Sequence, residues 1–135
     1  MAKMRAVVVD DDNLSHLVYS RIFKTNDVGV KFCSQHSQCP CKKPGLETCP
    51  VEKPCVDLLL TEYWTPGMSG LDFLLWLKQM DCKIPDTHKA IISANWPDVE
   101  LKKAKQFMEN VFHKFESTEQ ISRWVGEVKR SYDQS

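Results

Sequence analysis

The sequence carries no net charge: eighteen basic residues cancel eighteen acidic ones over 135 positions. No global field therefore draws it to nucleic acid or to an anionic membrane. No apolar run approaches the ~20 residues of a spanning helix. The opening MAKMRAVVVDDD has too short an apolar stretch, and turns acidic too soon, for a signal peptide. Repeats, low-complexity tails and linkers are also lacking, and nothing suggests a second domain. Residues 1–135 read as one domain, near the commonest domain size and large enough to bury a core. These absences lead to the expectation of a cytoplasmic protein that acts through a local site.

What is present alternates. Met4–Val9 is an apolar, β-branched run suited to a central parallel strand buried on both faces. It ends at Asp10-Asp11-Asp12. Asn13 is placed to cap a helix whose apolar positions Leu14, Leu17, Val18 and Ile22 recur at helical spacing. Val28–Phe32 reads as a second strand and Val56–Thr61 as a third. The third ends in Glu62, followed by a Pro66-Gly67 turn and a helix over Gly70–Met80. His88–Ser93 and Asn110–His113 read as strands, and Asp98–Met108 as an amphipathic helix. Ser117 with Gln120 has the spacing of a capping box. It opens a last helix with Ile121, Trp124, Val125 and Val128 on one face. Phe73, Trp76 and Leu77 read as a core-facing stripe, and Trp124 as core. His16 and His88 read as surface residues, and His113 as facing solvent or core. Strands that alternate with helices imply a parallel sheet with helices on both sides.

In such sheets ligands bind at the carboxyl ends of the strands. Four of the five strands end in polar residues able to share one site: Asp10 and Asp11, Glu62, Ser93 and Lys114. Each alone is explained as a polar strand end; their joint placement suggests a pocket. Carboxylates from neighbouring tips suit Mg²⁺, a hard ion that prefers oxygen and keeps several waters. A hydroxyl and an ammonium opposite them suit phosphoryl oxygens.

These residues resemble the receiver domain of two-component response regulators, the CheY-like superfamily. Asp10-Asp11 matches the acidic pair after the first strand. Val56–Glu62 with Pro66-Gly67-Met68-Ser69-Gly70 matches the acceptor strand and its loop. Ser93-Ala94 matches the hydroxyl and small residue, and Lys114 the lysine. Ser93 lies 31 positions after Glu62, and Lys114 21 after Ser93, which also fits. The resemblance covers the chain outside Cys33–Cys55. It implies a flavodoxin-like doubly wound sheet of five parallel strands in order 2-1-3-4-5. It also implies weak Mg²⁺ binding at Asp10 and Asp11, and partners such as a histidine kinase or an output protein.

Three departures qualify it. The phosphoacceptor of the family is aspartate, and Glu62 stands there. One more methylene carries the carboxylate outward by roughly a bond length, toward the place of a phosphoryl group and within reach of Lys114. The switch aromatic three positions before the lysine is replaced by Val111. The lysine is followed by Phe115 and not proline, so a trans bond is expected there. Trp64 occupies the position whose carbonyl helps hold the metal. The resemblance then implies a stand-alone pseudo-receiver, unphosphorylated and without catalytic activity. Its alternatives are a receiver phosphorylated on Glu62 or Asp11, and a metal or redox sensor built on the same fold.

Cysteine is abundant, with six residues. Five fall in the proline-rich Cys33–Cys55, which lacks a helical stripe and is expected to replace the second helix by an irregular loop. Such a loop builds no core of its own, so a cross-link would offset its ordering entropy. Cys39, Cys41, Cys49 and Cys55 make a tetrahedral Zn²⁺ set, with Cys33 and His36 as alternative ligands. An iron–sulfur or redox-active thiol site, and disulfides or free thiols, stay open beside it. Cys82 lies apart in a loop.

Overall fold

A computed structural model describes residues 3–38 and 52–134. Five strands form one parallel sheet: β1 (Arg5–Val9), β2 (Gly29–Cys33), β3 (Leu58–Glu62), β4 (Lys89–Ser93) and β5 (Val111–His113), in the order β2-β1-β3-β4-β5. Between them run α1 (Asn13–Thr25), α2 (Gly70–Gln79), α3 (Asp98–Phe107) and α4 (Thr118–Asp133). This is the flavodoxin-like doubly wound architecture. Among the described residues between β2 and β3 the only helical piece is a 3₁₀ turn, His36–Gln38. Residues 39–51 lie outside the described residues, and with them most of the expected irregular loop.

Period-two alternation divides the core into two layers. Ala6, Val8, Leu58, Leu60, Ala90 and Ile92 face α1 and α4, where Tyr19, Phe23, Trp124 and Val125 cover them. Val7, Val9, Leu59 and Ile91 face α2 and α3, against Leu71, Phe73, Leu77 and Ala104. Continuing that alternation, Glu62 falls on the α1 side and Thr61 on the α2 side, which decides what each can meet. Trp124 is core as expected, its indole N–H donating to the Thr87 carbonyl at 2.9 Å.

The α1 stripe is a correction. Leu14 and Leu17 are 56% and 70% exposed, and the buried face is Ser15, Tyr19, Ile22 and Phe23. Two helix starts also differ from expectation. Asp12, one residue earlier than Asn13, caps α1 by accepting the Leu14 N–H at 3.2 Å. Ser117 makes no side-chain cap; its hydroxyl accepts the His113 N–H at 2.9 Å instead, tying β5 to the turn before α4. The histidines read as surface residues are half-buried: His16 stacks on Phe32 and bonds the Asp10 carbonyl, and His88 bonds the Asp57 carbonyl.

Ser69 caps α2, its hydroxyl accepting the Asp72 N–H at 3.1 Å. Gly70 has to be glycine, because a Cβ there would sit 2.2 Å from the Glu62 carbonyl oxygen. The Gly70 N–H, donating to the Tyr63 carbonyl at 2.8 Å, closes the loop that begins at Glu62.

Candidate functional site

The strand tips converge on the Lys114 ammonium. Its Nζ lies 3.0 Å from Asp10 Oδ2, 3.1 Å from Glu62 Oε2 and 3.9 Å from Asp12 Oδ2. The side chains of Asp10, Glu62 and Lys114 are 1%, 6% and 9% exposed, so water screens these contacts little. Asp10 Oδ2 and Glu62 Oε2 are sealed from solvent, and each faces the ammonium as one side of a buried ion pair. The outer oxygens are anchored by backbone: Asp10 Oδ1 accepts the Asp12 N–H at 2.9 Å, and Glu62 Oε1 the Trp64 N–H at 3.3 Å.

The Lys114 backbone N–H donates to the Ser93 carbonyl at 3.0 Å, so β4 positions the ammonium through the main chain. The Ser93 hydroxyl is fully buried and accepts the Asn95 N–H at 3.2 Å, shaping the loop after β4. The Trp64 indole, 55% exposed, crosses from the β3 loop to donate to the Asn95 carbonyl at 2.8 Å.

Ionisation follows from this burial. Loss of water raises the Glu62 pKa above its ordinary value, against the lowering pull of Lys114 and the Trp64 N–H. For Lys114 burial pulls downward, but the contact to Asp10 and the charges of Glu62 and Asp10 outweigh it, and the pKa is raised. Asp12 is lowered, chiefly by the Ser15 hydroxyl, which donates to its Oδ2 at 2.7 Å.

Asp10, Glu62 and Lys114 are thus brought together, and Ser93 supports them. Asp11 is exposed and stands apart from the ammonium. The third carboxylate is Asp12, with Ser15 and Tyr19 behind it. The Tyr19 hydroxyl, buried among the charges of Asp10 and Glu62, is pushed well above the ordinary phenol value, chiefly by loss of water. Asp12 closes the Asp10-Asp11-Asp12 run and, as the α1 cap, stands within 3.9 Å of the ammonium. The donors suit a hard cation, and the place between the two sealed oxygens is filled by the lysine's own charge. Mg²⁺ does not fit there unless Lys114 moves.

No peptide bond among the described residues is cis, so Lys114–Phe115 is trans as expected. Phe115 takes φ +67, a left-handed conformation uncommon for a bulky residue, and is 57% exposed. Val111 is half-buried against the α2–α3 layer.

The cysteine segment separates into two ends. Cys33 pairs with Val9 at the carboxyl end of the sheet, buried, its thiol donating to the Gln38 carbonyl. Cys55 lies at the other end, where its carbonyl accepts from Arg5. The rise from Arg5 to Val9 separates the two ends by about 13 Å, while thiolates on one Zn²⁺ lie ~2.3 Å from the ion. His36 is buried, its Nε2 and Nδ1 facing the hydroxyls of Thr61 at 2.8 Å and Thr65 at 3.3 Å. Cys33 and His36 thus lie toward the carboxyl end of the sheet and Cys55 toward the other. Cys39, Cys41 and Cys49 lie outside the described residues. Among those described, no cluster of three metal-ligating side chains forms.

No protein-family model matches the chain, and no curated protein matches it by sequence. By structure it is similar to a response regulator receiver domain protein from Clostridium thermocellum, with TM-score 0.67 and 14% identity, covering 97% of this chain and 98% of that one. The signal receiver domain of an HD domain-containing protein from Pseudomonas fluorescens Pf-5 gives TM-score 0.73 and 13% identity, covering 99% and 100%. The beryllofluoride-activated NtrC4 receiver domain dimer gives 0.69 and 19%, covering 95% and 98%. No helix among the described residues is long and apolar enough to cross a membrane. At these identities the likeness is one of architecture, and the chain has the fold of response regulator receiver domains.

Proposed function

We propose that this protein is an atypical receiver module of two-component signalling that binds a partner protein and carries out no reaction of its own. The observation behind this reading is the Lys114 ammonium lying between Asp10 Oδ2 at 3.0 Å and Glu62 Oε2 at 3.1 Å. Glu62, one methylene longer than an aspartate, meets the ammonium directly. Glu62 is also poorly placed as a nucleophile, because a misplacement of ~1 Å costs in-line attack ~100-fold. The protein is then held near one conformation, and its partner recognises that conformation in the cytoplasm. Intact-mass measurement after incubation with a small-molecule phosphodonor and Mg²⁺ tests this: the mass stays unchanged, and a phosphoryl group recovered on Glu62 would overturn it.

One observation favours a second reading, a phosphorylatable receiver served by a histidine kinase and Mg²⁺. Three carboxylates face a single ammonium, leaving a formal surplus of two negative charges that a divalent ion would neutralise. Asp10 with Asp11 or Asp12 would hold it, at the expense of the Lys114 contact. The same mass measurement separates the two readings. A Zn²⁺ ion on Cys39, Cys41, Cys49 and Cys55 belongs to either reading, and elemental analysis of freshly purified protein tests it.

A further inference from the structure

The outward stripe of α1 serves neither the core nor the pocket. Leu14, Leu17, Arg21 and Lys24 recur at helical spacing along one face, and all four are exposed. A groove of about 300 Å³ runs beside them, lined by Leu17, Val18, Arg21, Ile22 and Thr118. Val18 and Thr118 also line, with the exposed Phe115 and with Lys114, a small void beneath. The apolar patch is therefore continuous and lies one layer of side chains from the pocket. Single exposed leucines are ordinary, but apolar side chains gathered around a groove mark an association surface.

The charges along this face are ordered. Asp11 and Glu116, both exposed, stand at the carboxyl end of the sheet, where α1 and α4 begin. Arg21 and Lys24 lie roughly three turns further along α1. The acids near that far end are already paired, Asp27 with Lys3 at 3.5 Å and Asp133 with Lys129 at 2.7 Å. On α4, Glu119 and Arg123 pair with each other at 3.9 Å. Among the described residues, then, Arg21 and Lys24 have no carboxylate of their own. The face runs from acidic through apolar to basic.

We propose that this α1 face, with Phe115 and the groove beside it, joins two copies of the chain about a two-fold axis. In a two-fold contact one patch meets itself, residue i against residue j and j against i. With the axis near Leu17, the two α1 helices run antiparallel. Each then brings its Arg21 and Lys24 to the Asp11 and Glu116 of the other copy, and its leucines to the other's groove. A foreign partner would have to carry the reverse charge order; a second copy carries it already. Exposed ion pairs add little affinity, so the leucines supply the attraction and the charges its direction.

Sedimentation equilibrium of the full chain tests this, under reducing conditions so that no disulfide between copies contributes, and without phosphodonor so that the fate of Glu62 does not enter. A patch of this size supports a weak dimer, with Kd on the order of 10–100 µM. Leu17→Glu raises Kd by about ten-fold, the worth of one buried leucine. Arg21→Glu with Lys24→Glu weakens self-association, as does Asp11→Lys with Glu116→Lys, because each homodimer then opposes like charges. Mixed together, these two variants form a heterodimer in which both sets of opposite charges are restored. Should the leucine variant not fold, the charge variants carry the test alone, since their four positions are all exposed. A wild type still monomeric at about 1 mM leaves the face to a different protein and overturns the proposal. So does a dimer indifferent to Leu17→Glu, or a pair of charge variants that fails to associate on mixing.

Discussion

Replacing Lys114 by Met removes the one positive charge between two sealed carboxylates and nearly preserves the side chain's volume. At 3.0 and 3.1 Å, with an effective dielectric of about 20, each carboxylate attracts the ammonium by about 5 kcal/mol. Most of that is offset by the cost of taking three charges out of water. Breaking a buried pair by deleting one partner leaves a net loss of about 3–5 kcal/mol, from a total domain stability of about 5–15 kcal/mol. Urea unfolding at pH 7 should show K114M destabilised by that amount. The loss also depends on pH in a defined sense. Glu62 already has a raised pKa because it is buried, and Lys114 is the leading influence holding it down. Without Lys114 the folded-state value rises further above the unfolded one, at about 1.4 kcal/mol per unit. The folded protein then binds the proton more tightly, so the variant is most stable below the unfolded carboxylate value and weakens as pH climbs to the folded one. The defect should therefore shrink between pH 7 and pH 5, and E62Q/K114M should recover much of it at pH 7. A K114M defect below about 1 kcal/mol, the size of an exposed pair, or one unchanged between the two pH values, refutes the buried-pair account.

Other consequences follow from neighbouring residues. Lys114 has a folded pKa above its unfolded one, so its contribution is whole below the ordinary lysine value and lost as pH rises through the folded value; alkaline unfolding of the wild type should show this loss and K114M should not. Asp12→Ala removes the α1 cap, costing about 0.5–2 kcal/mol. Because the Asp12 pKa is lowered, its stabilisation is present above the ordinary carboxylate value and lost as pH falls, and the acid limb of the variant should be flatter. Gly70→Ala drives a Cβ to within 2.2 Å of the Glu62 carbonyl, and the melting temperature should fall by the equivalent of about 1–3 kcal/mol. Glu62→Asp shortens the carboxylate away from Lys114; under the unphosphorylated reading this variant gains mass from a small phosphodonor where the wild type does not.

Much of the pocket was legible because strand tips announce themselves. An apolar run that ends in a charge places that charge at an edge of the sheet, and this pattern marks Asp10, Glu62 and Lys114. Helix faces were harder to read. In α1, Leu14, Leu17, Val18 and Ile22 have helical spacing, yet Leu14 and Leu17 face outward while Ser15 and Tyr19 turn in toward Asp12 and Asp10. Periodicity says that a stripe exists, but which stripe is buried depends on the polar pocket that the helix closes. The sequence points to Asn13 as the cap and Asp12 takes the place, because both residue types suit that position equally. The bonds of His36 to the hydroxyls of Thr61 and Thr65 had no sign in the sequence, because those threonines lie 25 and 29 positions away.

From its order of residues alone the chain determines a parallel sheet, its strand tips and the acids and amine that end them, because burial of alternating or continuous apolar runs leaves few other arrangements. Tertiary structure alone decided the partnerships: that Lys114 is shared between Asp10 and Glu62, that Asp12 and not Asp11 is the third acid, and that His36 grips the back of the Glu62 strand. The reason is geometric. Contacts between residues tens of positions apart are set by strand register and by the face on which each side chain emerges, and a shift of one residue in either would have paired different groups.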